Sequence, residues 1–563
     1  MLSTTQSNVE LVNRKPRKGS ATSENSIPNF SDLSPSPISN KLNASMLKTK
    51  SIKPNLVKKI EIEGYKLHEK ALEPVSIKKK DHSDLEKVPI ATLVTTYLSY
   101  LILILFAHLR DRIGKFFYPK QYEFLSETNG YAPLISDFES LWIRRLYTRI
   151  SDCFSRPITG VAGGYVTLLE RNSKDHNKTF ELTGKSERVL NLASYNYLGF
   201  AQSHGYCADQ VESIIRNNSV AIPAPRAQGG LTKALVETEA LVARYLGVDD
   251  SIIISMGYAT NSSVIPLLVE KGCLLISDEL NHSSLVSGSR LSGASIKVFK
   301  HNDAADLERV LRKSISQGQP RTHRPWSKIL VVVEGLYSME GEFCNLREIV
   351  DLKNKYKFYL FVDEAHSIGA IGKHGRGICE HLGIDHSKID VLMGTFTKSF
   401  GAVGGYIAGS KDLISRLRLK SHSSIYSEVM PYPVLAQVIS TVKLLMNEVP
   451  ELDGEGHKRI QALVQNSNFF ITRLKEMGFM ILGDKGSPVV PLLLFNPAKI
   501  PAFSHECLKR KIAVVVVSYP ATPIITGRVR FCLSASHTIE DLEYALEQID
   551  EIGDLLGLKL LKK

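Results

Sequence analysis

The sequence predicts an α/β protein with a mostly parallel central sheet in a large domain and a smaller C-terminal α+β domain, preceded by a membrane-associated helix. Three observations support this fold class. From about Asn191 onward, short apolar runs alternate with helical stretches, which is the pattern of βα units around a parallel sheet. Near the C-terminus, further apolar runs precede one helical stretch, which indicates a second, smaller lobe. Ahead of both lies an apolar stretch of 22 residues, Val88–Leu109.

Composition excludes several classes of protein. The 563 residues are 43% hydrophobic and 23% charged, which is ordinary for a globular protein and excludes a wholly disordered, collagen-like or coiled-coil chain. The seven cysteines are scattered singly, so we expect a reducing compartment and neither a disulfide framework nor a metal site. Half of the net charge of +12 belongs to residues 1–87, so the charge requires no nucleic-acid-binding face on the folded body, and we expect no nucleic-acid partner.

The N-terminal residues 1–57 predict a disordered basic tail. They are rich in Ser, Asn, Pro and Lys and show no sustained periodicity. No apolar core follows the first methionine within the first few dozen residues, so we expect no secretory signal peptide.

Residues 58–120 are predicted to associate with a membrane through the helix Val88–Leu109, in which His108 is the only potentially charged residue. At ~1.5 Å per residue, this helix is long enough to cross a hydrocarbon core of ~30 Å. Hydroxyl side chains lie on one side of its first half and basic residues flank both ends, so a spanning helix and an in-plane helix both remain open. A buried core helix is the third interpretation.

The remaining chain divides into an N-terminal arm and linker (residues 121–190), the large domain (191–433) and the small domain (434–563). In the large domain we predict strands at Ile252–Ile254, Ile329–Val333, Tyr359–Val362 and Val391–Met393. In the small domain we predict a linking helix around Val434–Met446, strands at Val489–Phe495, Ile512–Val517 and Val529–Leu533, and a helix at Ile539–Leu555.

Lys398 is the first candidate for chemistry. It lies in the glycine- and hydroxyl-rich run 394–401, directly after the apolar strand Val391–Met393. Burial at such a place would lower the pKa of the amine and leave it neutral, as a Schiff-base lysine requires. Taken alone, the run is a weak signal, and a surface lysine in a turn is the more common explanation for it.

Asp363 and His366 follow another predicted strand, and Asp363 lies 35 residues before Lys398. Ligand sites of parallel sheets form at the carboxyl ends of strands, so we expect these three side chains to converge. A carboxylate there can hold a pyridine nitrogen protonated, which is the partner that pyridoxal phosphate (PLP) requires. For Asp363 alone, a helix N-cap is the alternative.

Two further strand ends complete the predicted site. The segment that contains Gly257 and Tyr258 follows a strand and opens a helix, so its backbone N–H groups are suited to a phosphate. His282 also follows a strand and places an imidazole near the same edge of the sheet. A purely structural histidine is the alternative.

Five spaced motifs resemble the α-oxoamine synthases, fold-type I PLP enzymes that join an amino acid to an acyl-CoA with loss of carbon dioxide. The motifs are GTFTKSFG (394–401), DEAHSIG (363–369), SDELNH (277–282), EGLYSMEG (334–341) and PATP (520–523). The resemblance extends from about Asn191 to Leu558 and is strongest to the eukaryotic members that form long-chain bases. It implies PLP as cofactor and the condensation of L-serine with palmitoyl-CoA to 3-ketodihydrosphingosine, CoA and carbon dioxide.

The resemblance also implies cofactor roles for the matched residues. Lys398 would bind PLP covalently and later move the Cα proton of the substrate. Asp363 would pair with the pyridinium nitrogen, His366 would bond the phenolic oxygen and His282 would stack on the ring. Lys398, His282 and Asp363 are thus the expected catalytic residues.

The phosphate and the substrate are expected to bind elsewhere in the same site. By resemblance, Thr395 and the backbone of Gly257 and Tyr258 would take the phosphate. Arg530 matches the position that binds the substrate carboxylate, with Asn196 as a helper.

The expected partners follow from the same resemblance: a homologous non-catalytic subunit in a heterodimer, and small regulatory membrane subunits. The expected location is the endoplasmic reticulum membrane, with the catalytic body facing the cytosol. Three glycosylation sequons, at Asn217, Asn261 and Asn281, would then stay unmodified.

One run departs from the family pattern. Residues 219–226 lack the usual Gly- and Ser-rich sequence before an arginine, and Leu235 stands where the family usually has histidine. We expect this departure to make the chain dependent on its partner subunit.

Two alternative functions remain open besides the condensation of L-serine with palmitoyl-CoA. One is that of a family member that uses glycine with a short acyl-CoA. The other is that of a catalytically silent membrane scaffold, against which Lys398 and Asp363 argue.

Overall fold

The structure is a computed structural model that describes residues 88–127, 129–133, 135–519 and 521–561. The predicted tail 1–57, the start of the predicted membrane segment and Pro520 of the PATP motif lie outside these residues. All contacts below are therefore contacts among the described residues.

Sixteen strands, numbered in chain order, are found in the described part of the chain. They are β1 Ile158–Thr159, β2 Tyr165–Asn172, β3 Glu181–Asn191, β4 Asp250–Ile254, β5 Leu274–Asp278, β6 Ser295–Phe299, β7 Ile329–Glu334, β8 Leu336–Tyr337, β9 Glu342–Phe343, β10 Tyr359–Asp363, β11 Val391–Thr395, β12 Gly405–Gly409, β13 Val489–Leu493, β14 Ile512–Ala513, β15 Val515–Val517 and β16 Arg528–Cys532. The α-helices are Ile90–Phe117, Asp137–Leu141, Tyr206–Asn217, Lys233–Leu246, Gly257–Leu268, Ser283–Leu291, Ala304–Gln317, Leu346–Tyr356, Ile378–Leu382, Lys411–Lys420, His422–Ile425, Tyr432–Leu445, Glu455–Glu476, Lys499–Lys509 and Ile539–Leu556.

The central sheet has seven strands in the order β4-β12-β11-β10-β7-β5-β6. Strand β12 is antiparallel to both of its neighbours, and the other pairs in the sheet are parallel. The inner strands are almost entirely buried and rich in apolar residues, as expected for a sheet that is covered on both faces. The predicted mostly parallel α/β fold is therefore confirmed, and the carboxyl ends of β7, β10 and β11 meet at one edge.

The C-terminal part forms an antiparallel sheet in the order β13-β16-β15. The predicted strand Ile512–Val517 is wrong as a single strand, because the chain leaves one sheet and enters another at Val514. Strand β14 pairs parallel with β3, whereas β15 pairs antiparallel with β16. An unbroken apolar run does not reveal this change, since both short strands are largely buried.

The predicted membrane helix extends from Ile90 to Phe117 and so continues beyond the apolar stretch. One side contacts the rest of the chain, where Thr96, Tyr100 and Asp111 are buried and Asp111 accepts hydrogen bonds from two arginines of the arm. The other side exposes apolar side chains, among them Ile90, Val94, Leu98, Leu101, Leu105, Phe106, Leu109 and Phe116. Among the described residues, this is the one helix that is long and apolar enough to cross a membrane.

Candidate active site

Four titratable or hydroxyl side chains lie at one edge of the central sheet. Strand β7 ends at Glu334, β10 ends at Asp363 and β11 ends at Thr395, with Lys398 three residues further on. The parallel register pairs Asp363 with Glu334 on one side and with Met393 on the other. The expected convergence at the strand ends is therefore present, because the register brings the ends level.

Lys398 lies in a desolvated environment. Burial lowers the pKa of its amine to about 8, although the nearby carboxyl groups of Asp363 and Glu334 act to raise it. Its Nζ lies 5.8 Å from the centre of the Tyr195 ring. The neutral form of this amine is therefore far more populated near neutral pH than that of an exposed lysine, as covalent binding of a carbonyl requires.

Asp363 is buried and oriented by two donors. Its Oδ1 accepts the backbone N–H of Ala365 at 2.8 Å, and its Oδ2 accepts Asn261 Nδ2 at 2.7 Å. Asn261 is itself 1% exposed, and its Oδ1 has no protein partner. No helix begins directly after Asp363, because the chain forms a turn there, so the N-cap interpretation is wrong. The second oxygen of Asp363 faces an asparagine that was not assigned to the site from the sequence.

His366 is buried beside two tyrosines. Its Nδ1 lies 2.9 Å from the hydroxyl of Tyr197, and its ring contacts the Tyr195 ring edge to face at 5.0 Å. Burial and the charge of Lys398 hold the pKa of His366 well below its usual range, so the imidazole is neutral. Both tyrosines belong to the run Ser194–Gly199, from which sequence analysis selected only Asn196.

His282 is held by its side chain and by its backbone. Its Nδ1 caps the helix Ser283–Leu291 by accepting the N–H of Ser284, and its own N–H donates to Glu334 Oε1 at 2.5 Å. Burial lowers the pKa of the His282 imidazole. Burial and the charge of Asp363 raise the pKa of Glu334 well above its usual value. Glu334 was missed as a site residue, although its motif follows an apolar strand as those of Asp363 and Lys398 do.

A cradle for an anion lies between Gly257 and Thr395. Gly257 opens a helix, so the first N–H groups of that helix have no partner within it. A Cβ on Gly257 would lie 2.9 Å from Thr395 Oγ1, so only glycine lets the two segments approach this closely. The Thr395 hydroxyl donates to Gly404 O at 2.8 Å, and Tyr258 directs its side chain to Ser287 Oγ, leaving its backbone for a ligand.

Arg530 is a buried cation without an acidic partner in the described part of the chain. Its guanidinium lies 4.7 Å from the centre of the Tyr195 ring, its Nη1 approaches Met339 Sδ at 3.7 Å, and its Nε is buried with no hydrogen-bond partner. Arg528, two residues earlier on the same strand, pairs with Glu340 and donates to Met339 O. Only Arg530 is therefore free to take a carboxylate from a ligand.

Asn196 lies close to this group but is engaged elsewhere. Its Nδ2 donates to Ala162 O at 3.0 Å and its Oδ1 accepts the N–H of Ala201 at 3.2 Å. Both of its polar groups thus have backbone partners, and its help in carboxylate binding stays a prediction. Tyr195 is the neighbour that contacts the guanidinium of Arg530.

The divergent run ends in a structural arginine. Arg226 pairs with buried Glu239 through two hydrogen bonds of 2.5 and 2.8 Å, and Arg418 donates to the same carboxylate. Leu235 is 2% exposed and packs in the main core. These two residues therefore stabilise the fold, and the chain from Ser219 to Ala221 is exposed.

Together these residues fit PLP: an amine with a lowered pKa, an oriented carboxylate, two neutral imidazoles and a helix start whose N–H groups are suited to a phosphate. The individual roles of the residues stay predictions.

Comparisons with known proteins agree with this fit. The family model for aminotransferase class I and II matches residues 187–549. The chain is 54% identical to serine palmitoyltransferase 2 of Schizosaccharomyces pombe over 466 residues. This alignment covers 83% of this chain and 77% of that protein. The solved Sphingomonas wittichii serine palmitoyltransferase is similar with a TM-score of 0.66 and 26% identity, over 76% of this chain and 99% of that one. A structure described as SPT with PLP internal aldimine is similar with a TM-score of 0.65 and 26% identity, over 76% and 99% of the two chains.

Proposed function

The chain belongs to the class I and II aminotransferase family and, within it, to the serine palmitoyltransferase 2 group of PLP-dependent acyltransferases, and on that premise we propose that it condenses L-serine with palmitoyl-CoA. The products would be 3-ketodihydrosphingosine, CoA and carbon dioxide, the first step of sphingolipid synthesis. The observation that carries this proposal is a buried, unpaired Arg530 beside a lysine of lowered pKa.

Cofactor binding is assigned to residues at the strand ends. PLP, when bound, supplies the electron sink that makes the Cα proton of an amino acid acidic. Asp363 would keep the ring nitrogen protonated, His282 would cover one ring face, and His366 would bond the phenolic oxygen. Thr395 and the N-terminus of the helix at Gly257 would hold the phosphate.

Substrate binding is assigned to the small domain. Arg530 would bind the carboxylate of L-serine, because a guanidinium desolvated in this way gains most from an anionic partner. Lys398 Nζ, which also lies near the Tyr195 ring, would then take the Cα proton, for which its pKa of about 8 is well suited.

The decisive experiment is an absorbance titration of the purified chain with its partner subunit. L-serine should change the cofactor spectrum and, with palmitoyl-CoA, yield 3-ketodihydrosphingosine detectable by mass spectrometry. Glycine and alanine serve as matched competitors. Equal turnover of glycine with a short acyl-CoA would favour the alternative family member, and no spectral change with any amino acid would favour the silent scaffold.

We also propose a heterodimer with a homologous non-catalytic subunit, joined by small regulatory membrane subunits. Apolar side chains are exposed around the cradle, namely Met256, Tyr258, Val403 and Tyr426, and a partner subunit would cover them. Full turnover by this chain expressed alone would contradict the proposal.

The proposed location is the endoplasmic reticulum membrane with the body in the cytosol, and the exposed apolar side of the helix Ile90–Phe117 supports a membrane contact.

The three glycosylation sequons are not equally informative about this orientation. Asn261 and Asn281 are buried and hydrogen-bonded, so they cannot accept a glycan in the folded protein. Asn217 is exposed and is the informative site. Protease added to sealed microsomes should digest the body, whereas protection together with a glycan on Asn217 would place the body in the lumen.

A further inference from the structure

Three metal-ligating side chains meet outside the candidate active site. Asp152 and Cys153 end the 3-10 helix Thr148–Cys153, and His505 lies on the helix Lys499–Lys509. Their ligand atoms all lie within 4.8 Å of one another. Cys153 is in no disulfide, so its sulfur is available as a ligand.

The spacing of two donors matches a tetrahedral zinc site. With Zn–S of ~2.3 Å and Zn–N of ~2.0–2.1 Å, the sulfur and nitrogen ligands of tetrahedral zinc lie ~3.6 Å apart. Cys153 Sγ and His505 Nε2 are 3.6 Å apart. Asp152 Oδ2 lies 2.5 Å from the same nitrogen and would move outward by about 0.9 Å to reach the ~3.4 Å expected between nitrogen and oxygen ligands.

The set of donors also has the chemistry of a zinc site. Sulfur, imidazole nitrogen and carboxylate oxygen together suit a borderline-soft divalent ion. The second oxygen of the carboxylate, Asp152 Oδ1, accepts Asn177 Nδ2 at 3.0 Å, as ligating carboxylates usually do with an outer partner. Asp152 and His505 are half-buried, which leaves an open side for entry of the ion and for a water as fourth ligand.

We propose that Asp152, Cys153 and His505 bind a zinc ion that joins the arm to the helix Lys499–Lys509. Zinc would replace the proton shared by His505 and Asp152 and the thiol proton of Cys153, so two protons leave as one divalent ion enters. The net charge of the cluster is then unchanged. Arg156, whose Nε donates to Asp152 O at 3.2 Å, therefore faces the same charge in both forms.

The experiment uses the purified full-length chain, freed of metal and titrated with Co²⁺ and with Zn²⁺. One equivalent of Co²⁺ should bind with a thiolate-to-metal absorbance band, Zn²⁺ should displace it, and Zn²⁺ should raise the thermal unfolding temperature. Cys153→Ser should lose the band, and His505→Gln should weaken binding by ~10-fold or more. Cys207→Ser is the matched control, because Cys207 is a free, partly buried thiol outside the cluster.

Identical Co²⁺ spectra and affinities for Cys153→Ser and Cys207→Ser would overturn the proposal. The same holds for a wild-type chain that binds no Co²⁺ or Zn²⁺ above the level of His505→Gln. His505 is on the surface side of the cluster, so its variant keeps the test valid if Cys153→Ser folds poorly. None of these measurements depends on catalytic activity, so they are independent of the proposed function.

Discussion

Substituting Arg530 by alanine should weaken substrate binding without harming the fold, whereas substituting Arg528 should destabilise the fold and leave substrate binding unchanged. The two arginines lie two residues apart on β16 and are both buried. Arg528 pairs with Glu340, but Arg530 has no acidic partner among the described residues and a buried Nε without a hydrogen-bond partner. They therefore form a matched pair in which only the presence of a protein anion differs.

The magnitudes follow from these contacts. A hydrogen bond to a charged group contributes ~1.5–3 kcal/mol, so Arg530→Ala should raise the dissociation constant for L-serine by about 10- to 150-fold, at ~1.4 kcal/mol per factor of ten. Arg528→Ala leaves the Glu340 carboxyl, which is 13% exposed, without its cation, so the expected loss of unfolding free energy lies somewhat below the ~3–5 kcal/mol of a fully buried pair.

The assay is a spectral titration of L-serine and a thermal unfolding curve for each variant in complex with the proposed partner subunit. Arg530→Ala should keep the cofactor spectrum and the unfolding temperature close to wild type. Serine affinity within twofold of wild type in Arg530→Ala would refute the assignment. Loss of serine affinity by Arg528→Ala at unchanged stability would refute the distinction between the two arginines.

Three more predictions concern the strand ends. Lys398→Ala should still bind PLP non-covalently through Asp363 and the phosphate cradle, but it should lose turnover and the visible absorbance of the lysine-bound cofactor. A variant that kept both would show that another residue binds the cofactor. In the cofactor-free protein, Lys398→Met should be more stable to urea than wild type at pH 7, because burial lowers the Lys398 pKa to about 8. The difference in unfolding free energy between the two proteins should shrink as pH rises from about 8 to 10.5, because the unfolded wild-type chain then holds a proton that the folded one lacks. A difference that does not change with pH would contradict this reasoning. Glu334→Gln should keep turnover and its pH profile, because an amide oxygen still accepts the N–H of His282 and the raised pKa of Glu334 disfavours its charged form, whereas Glu334→Ala should release PLP more readily. Equal losses in the two Glu334 variants, or a shifted pH profile in Glu334→Gln, would show that the carboxyl itself reacts.

The strand ends were predictable because their signals are local. An apolar run followed by a lysine or an aspartate at a glycine-rich turn marks a strand end by itself, and the parallel sheet brings such ends together. Lys398 and Asp363 could thus be selected from the sequence, and the structure brings them to the same edge. Asn261 could not, because its contact with Asp363 depends on non-local packing. Glu334 has the same local signal as Asp363, but its partners depend on which elements are neighbours. Glu334 faces Asp363 only since β7 lies next to β10.

The difference between local signals and non-local contacts also explains why identical sequence patterns have different roles in this chain. Three asparagines share one sequon pattern, yet Asn261 orients Asp363 in the core while Asn217 is exposed. Two arginines share one strand and one face, yet an acidic neighbour from a distant loop satisfies Arg528, whereas no acidic side chain of the described residues reaches Arg530. In both cases the residue types and their spacing can be read from the sequence. Their burial and their partners, which depend on non-local packing, decide their chemistry. A buried polar group whose protein partners are incomplete is therefore the most informative feature for assigning a ligand in this structure.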